Sequence, residues 1–244
     1  MKKIKIILCT LVSWLILEVP VYASVNLSIS EANGPEGLSS TLQILIFLTF
    51  LTFLPAIVLT MTPFTRITIV LSMLRNGLGT QTTPSNQVLI GLAMFLTFFI
   101  MGPIVSEIKD TAIDPYVDGQ ISEDEFLYNA KVPMQSFMLK HTRAKDLEFF
   151  MSIADIEEVE DMNKLPFTVV VPSFILSELK IALEVAFLLF LPFVAIDFIT
   201  SSILMSVGML MLPPTMIALP FKILTFILVD GWHLVVKTLV ESFM

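Results

Sequence analysis

Cysteine is almost missing from this 244-residue chain: there is one, Cys9, close to the amino terminus. That is too few for a disulfide framework or a cysteine-based metal site. Charge is scarce as well. Only 15% of the residues are Asp, Glu, Lys or Arg, while 55% are hydrophobic, against about 25% and about 45–50% in ordinary soluble domains. The 14 basic and 22 acidic side chains sum to −8, which argues against a general basic face for nucleic acid. The two histidines, His141 and His233, are far apart, with no cysteine or third histidine nearby to complete a zinc site. Neither Gly-x-Ser-x-Gly nor Gly-x-x-x-x-Gly-Lys occurs, so a serine nucleophile elbow and a phosphate loop are both absent.

What the chain has in quantity is apolar sequence. Lys2, Lys3 and Lys5 precede an apolar run from Ile6 to Leu17, and Val21 and Ala23 stand three and one positions before a possible cut. This is the order of a bacterial secretory signal, so residues 1–23 are expected to be removed; the alternative is an uncleaved first membrane helix, for which the run is short. The polar lead-in 24–40 follows. Thr41–Met61 and Asn86–Ser106 are each 21 residues without a charge, the length of a membrane-crossing helix, and Pro55 predicts a kink in the first. Further apolar stretches run from Ile181 to Leu212 and from Thr215 to Leu239, divided by Pro213-Pro214.

Charge segregates between these stretches. Thr62–Thr83 carries Arg66 and Arg75 and no acid, whereas 107–164 carries 14 acids and 6 bases. The positive-inside bias then puts the arginine loop in the cytoplasm and the acidic segment outside. The expectation is an all-α membrane protein: a first helical hairpin over 41–106, a helical periplasmic insert over 107–164 and a second hairpin over 165–244. Within the insert, Ser122–Asn129 and Pro133–Ile153 have helical spacing. The second hairpin places Glu184, Asp197, Lys222 and Asp230 at depths where an ionisable group must be paired or face water. Pro192, Gly208, Pro213, Pro214 and Pro220 break its backbone, which is tolerated inside an assembly rather than against lipid.

Two constellations imitate chemistry. Asp197 and Asp230 could be an aspartyl dyad by residue type, but their flanking residues do not support it. Asp114, Asp118, Gly119, Ile121 and Glu125 fall at positions 1, 5, 6, 8 and 12 of a calcium loop, yet position 3 is Tyr116 and there is no second hand. The feature with a mechanism attached is Met205-Ser206-Val207-Gly208-Met209-Leu210-Met211-Leu212-Pro213-Pro214. Methionine is unbranched and adaptable, so several copies around a ring could close a hole and reshape around a passing chain; clustering among 14 methionines is the plainer reading.

At Thr65-Arg66-Ile67-Thr68-Ile69-Val70-Leu71, Leu74-Arg75-Asn76-Gly77-Leu78-Gly79-Thr80-Gln81, Ala93-Met94-Phe95-Leu96-Thr97-Phe98-Phe99-Ile100-Met101, Ser177-Glu178-Leu179-Lys180 and Leu228-Val229-Asp230-Gly231-Trp232, the chain resembles the FliP/SctR family of type III secretion export gates. The signal and lead-in favour the flagellar branch. The resemblance implies a non-enzymatic core subunit without cofactors, five copies of which join FliQ and FliR in the inner membrane beside FlhB and FlhA. That assembly passes unfolded flagellar proteins outward. It implies a pore gasket at Met209, Leu210 and Met211, with Leu210 departing from the family's run of three methionines. Phe137 and Phe150 match aromatic positions of the family's periplasmic helical domain and become candidates for subunit contacts. Arg143, Glu178 and Lys222 become candidates for interface ion pairs, because Glu178 and Lys222 border or enter apolar segments; their partners are not readable. The rival is a secondary transporter or small-solute channel using Glu184, Asp197 and Asp230.

Overall fold

In the computed structural model the described residues are 35–80, 82–156, 161–209 and 212–244. The expected signal and most of the lead-in lie outside them, as do Leu210 and Met211. Every regular element among the described residues is helical: α1 (Pro35–Thr60), α2 (Phe64–Leu78), α3 (Asn86–Ile108), α4 (Asp114–Val117), α5 (Glu123–His141), α6 (Ala144–Ile153), α7 (Phe167–Ser206), α8 (Pro214–Leu228) and α9 (Gly231–Glu241). A π-helical turn, Lys109–Ile113, joins α3 to α4, and a 3-10 turn, Met162–Lys164, precedes α7.

The chain divides into two units, 1–53 and 54–244. In the first, the helix is apolar from Ile44 onward, and the hydroxyls of Thr49 and Thr52 donate to the carbonyls of Leu45 and Leu48, which hides polar atoms in a sequence with few other partners for them. The helix runs on through Pro55.

The second unit is organised around α2 and α7. Thr62–Thr83, expected as a cytoplasmic loop, instead contains a buried helix. The physical reason is periodicity: Ile67, Val70, Leu71, Leu74 and Leu78 recur three and four residues apart and are all buried, each contributing about 1.5–3 kcal/mol. Gly79 ends the helix in the left-handed region, φ +80°, its N–H donating to the Asn76 carbonyl, a conformation that costs glycine little.

Three other boundaries differ from expectation. α5 passes through Pro133 without stopping, so the insert's helices divide at Thr142-Arg143 rather than before Pro133. Ser122 starts α5 with a capping box: its Oγ accepts from the Glu125 N–H, and the Glu125 carboxylate accepts from the Ser122 N–H at 2.8 Å. α7 begins at Phe167, well before Ile181, and extends 40 residues through Pro172 and Pro192. The stretch 215–239 bends by 62° between α8 and α9, where Asp230 adopts φ +50°.

Gly231 explains that bend locally. A Cβ there would fall 2.1 Å from the Phe226 ring, and that ring is buried against Phe193 and stands edge-on to Trp232 at 5.4 Å. Among the described residues two helices are long and apolar enough to cross a membrane, Asn86–Val117 and Phe167–Ser206, or three segments if the bent pair α8–α9 counts as one. Three of the four expected apolar stretches fall on these, and the other, Thr41–Met61, lies along α1, with a shorter apolar stretch at Ile44–Ile57.

Candidate functional site

The methionine turn joins α7 to α8. Val207 caps α7; the Gly208 N–H donates to the Met205 carbonyl and the Met209 N–H to the Leu204 carbonyl, with Gly208 at φ +79°. This is the paired bonding of a Schellman stop. It reverses the chain at Gly208 and leaves Met209 exposed. Pro213 and Pro214 then open α8 at the positions where a missing N–H costs nothing. Behind the turn, Ile196, Ile199, Thr200, Ile203, Leu204, Ile217 and Phe221 line an apolar cavity of about 340 Å³ between the two helices.

A buried polar tie joins α7 and α8. Lys222 of α8 donates to Asp197 Oδ2 of α7 at 2.6 Å and to the Gly77 carbonyl at the end of α2 at 3.2 Å. The carbonyl end of a helix favours a cation, so α2 supplies the second acceptor. Gly77 has to be glycine for this approach: a Cβ would stand 2.9 Å from Phe190 and 3.0 Å from Phe193.

A second tie lies nearer the start of α7. Arg66 Nε donates to Glu178 Oε2 at 2.9 Å, its Nη2 to Oε1, and its Nη1 to Ser242 Oγ at 3.1 Å. The Phe243 ring covers the guanidinium, 3.9 Å from Cζ to ring centre. Glu178 is fully buried and Arg66 is 3% exposed. Two-pronged pairing satisfies both partners at such a depth. Beside it, Asp146 of α6 accepts from Ser177 Oγ at 2.7 Å and pairs with Arg143 at 3.4 Å, while the Arg143 N–H donates to Ser177.

The partners of Glu178, Lys222 and Arg143 are thus Arg66, Asp197 and Asp146 of the same chain. Phe137 is buried beside Phe174 and Phe243, close to the Arg66–Glu178 tie, whereas Phe150 is half-buried on α6 against Phe149. Glu184 pairs with Lys180 on the exposed flank of α7 at 3.3 Å, and Asp230 is exposed at the α8–α9 bend. Asp197 therefore faces a lysine and not a second aspartate. Among the described residues no three His, Cys, Asp or Glu gather as a metal site. In the calcium-like segment Asp114 lies on α4 and pairs with Lys109. Glu125 is spent on Ser122, whose N–H and hydroxyl hold its carboxyl below the usual range.

Arg66, Ser177, Asp146 and Gln135 were not picked out beforehand as functional positions. Gln135, also fully buried, donates to the carbonyls of Met162 and Leu165 and fastens the 3-10 turn onto α5. Arg66 had a signal in the sequence: a charge immediately before Ile67, on the apolar face of a periodic helix, needs a buried partner.

Residues 47–239 match the description of the FliP family. Among curated relatives, the flagellar biosynthetic protein FliP of Bacillus subtilis is 52% identical over 217 residues, covering 89% of this chain and 98% of its own. The FliP of Aquifex aeolicus is 45% identical, covering 90% and 91%, and that of Pectobacterium carotovorum is 47% identical, covering 86% and 82%. With a match that takes in both polar ties, the methionine turn and the α8–α9 bend, this chain belongs to the FliP family.

Proposed function

We propose that the chain is a pore-forming subunit of the flagellar type III export gate. Several copies, five by the family resemblance, assemble with FliQ and FliR in the inner membrane and join FlhA and FlhB. Together they let unfolded flagellar proteins leave the cytoplasm. The observation that carries this reading is the family match over 47–239, together with relatives named as flagellar biosynthetic proteins along nearly their whole length. The geometry supports it at one place: the Schellman stop projects Met209 at the tip of the α7–α8 hairpin, followed by Leu210 and Met211. Copies of this tip around an axis would form an apolar ring that excludes water and ions and yields to a passing chain because methionine is adaptable. The hairpins and the acidic segment 107–164, placed on the periplasmic side by its charge, would pack on neighbouring subunits. Phe137, Phe150, Arg143, Glu178 and Lys222 would shape the contacting surfaces, the charged three by holding helices in position within each copy. No bond-making chemistry or cofactor enters this reading.

Native mass spectrometry of the complex co-expressed with its neighbouring genes should give five copies of this chain with smaller helical partners; a stable monomer would overturn the assembly. In the assembled gate, Met209→Ala with Met211→Ala should raise ion leakage. Unchanged conductance in an intact complex would remove the gasket. The transporter reading draws on Glu184, Asp197 and Asp230, but Glu184 and Asp197 are each paired with a different lysine, which gives that reading no shared ion site.

A further inference from the structure

His141 is the last residue of α5, and its ring lies between Phe137, 4.8 Å away, and Phe243, 5.1 Å away and edge-on. Its Nε2 is buried and has no hydrogen-bond partner among the described residues. The segment that covers it is the one that completes the Arg66 site: Ser242 accepts from Arg66 and Phe243 lies over the guanidinium. Lys140, the neighbour of His141, donates to the Met244 carbonyl at 3.2 Å. Three side chains from two helices therefore hold residues 242–244, and one of them, the imidazole, can gain a charge as pH falls.

We propose that His141 is an acid-sensitive latch: neutral, it seats the Ser242-Phe243-Met244 segment over the Arg66–Glu178 pair, and protonated, it releases that segment. The proposal is independent of whether the chain lines a pore.

The surroundings decide the direction. From α2, His141 faces Arg66; on its own helix it adjoins Lys140, and Arg143 follows two residues later, committed to Asp146. Glu178 on α7 is occupied by Arg66. Glu107 of α3 borders the same cavity as His141 but is exposed. A proton on Nε2 would thus put a cation beside two others, between two aromatic rings, with a new N–H and no acceptor. Burial first, then Arg66 and Lys140, already push the imidazole pKa down to about 4. The adjoining cavity, about 610 Å³ and bordered by Lys140, Phe243 and Met244, gives water a way in once Phe243 swings out. Because the native pKa lies below the unfolded value of about 6.5, the latched state is fully favoured above that value. It loses ground as pH falls from there toward 4.

The test follows the backbone amide resonance of Met244, whose N–H donates to the Glu241 carbonyl, in the detergent-solubilised full chain as pH is lowered from 7.5 to 4.5. In the native sequence it should move from a dispersed, hydrogen-bonded position to a sharp, mobile one. It should stay latched throughout in His141→Gln, and in His141→Phe should glutamine compromise folding. It should be mobile already at pH 7.5 in Phe243→Ala. A Met244 signal that titrates alike in the native chain and both His141 variants would overturn the latch, as would one that does not respond to pH, or a latched signal in Phe243→Ala.

Discussion

The two halves of α7 are held in different ways. From Phe167 to Leu191 its inner face meets α2, α5 and α6, and the polar residues Ser173, Ser177 and Glu178 are buried there with their hydrogen bonds made. Past Pro192 few positions are buried, chiefly Phe193, Thr200 and Leu204. There, among the described residues, α8 is tied across by one ion pair, Lys222–Asp197, and the gap between the helices is an apolar cavity. The first half is an anchor, over-determined by buried charge; the second is an arm that carries the methionine turn on few constraints. The methionine turn, which in the proposed gate would have to yield to a passing chain, sits on the arm.

That contrast is broken most severely at the anchor. Glu178→Ala leaves Arg66 charged and buried with only Ser242 and the Phe243 ring beside it, which should cost about 3–5 kcal/mol. The protein should be lost from the membrane fraction or melt far below the native chain. Arg66→Met combined with Glu178→Leu removes both charges and should recover much of that loss in thermal unfolding. If the double variant is no better than the single one, the pair contributes more than mutual neutralisation.

On the arm the same experiment should be milder. Lys222→Met deletes the charged hydrogen bonds to Asp197 and to the Gly77 carbonyl, each worth about 1.5–3 kcal/mol while its acceptor stays dry, but the Asp197 side chain is 28% exposed and can recover solvent. Its effect should concentrate on the hairpin: faster hydrogen exchange over 193–226 with little change over 167–186. Equal loosening of both segments would mean that the two halves of α7 are one cooperative unit.

How much of this could be read from residues alone follows the same division. Helical class and the break between α7 and α8 at Pro213-Pro214 were legible, because uncharged length and proline placement report directly on the backbone. The buried helix α2 was missed although Ile67, Val70, Leu71, Leu74 and Leu78 declare it, because Arg66 and Arg75 resemble a solvated loop until a partner for Arg66 is known. That partner is 112 residues away, and no local pattern predicts a contact at such separation. Glu178 and Lys222 were recognisable as costly charges in apolar sequence; only the packing of α2 on α7 says which charges answer them. The bend at Asp230-Gly231 was hidden for a related reason. Its requirement is a steric contact with Phe226, which hydropathy does not register.

That bend gives the finest test, since it alters no charge and separates arm geometry from ion pairing. Gly231→Ala places a methyl 2.1 Å from Phe226 Cε2. Phe226 cannot simply turn away, because it is buried between Phe193 and Trp232. Overpacking of this kind costs about 1–3 kcal/mol. If the clash is the cause, the loss should not add to that of Phe226→Ala: with the ring gone the new methyl has room, and the double variant should melt close to Phe226→Ala alone. Strictly additive losses would assign Gly231 a backbone role instead of a packing one. In either case residues 167–186 should keep their hydrogen-exchange protection, because the anchor's ties, Arg66 to Glu178 and Ser177 to Asp146, involve neither Phe226 nor Gly231.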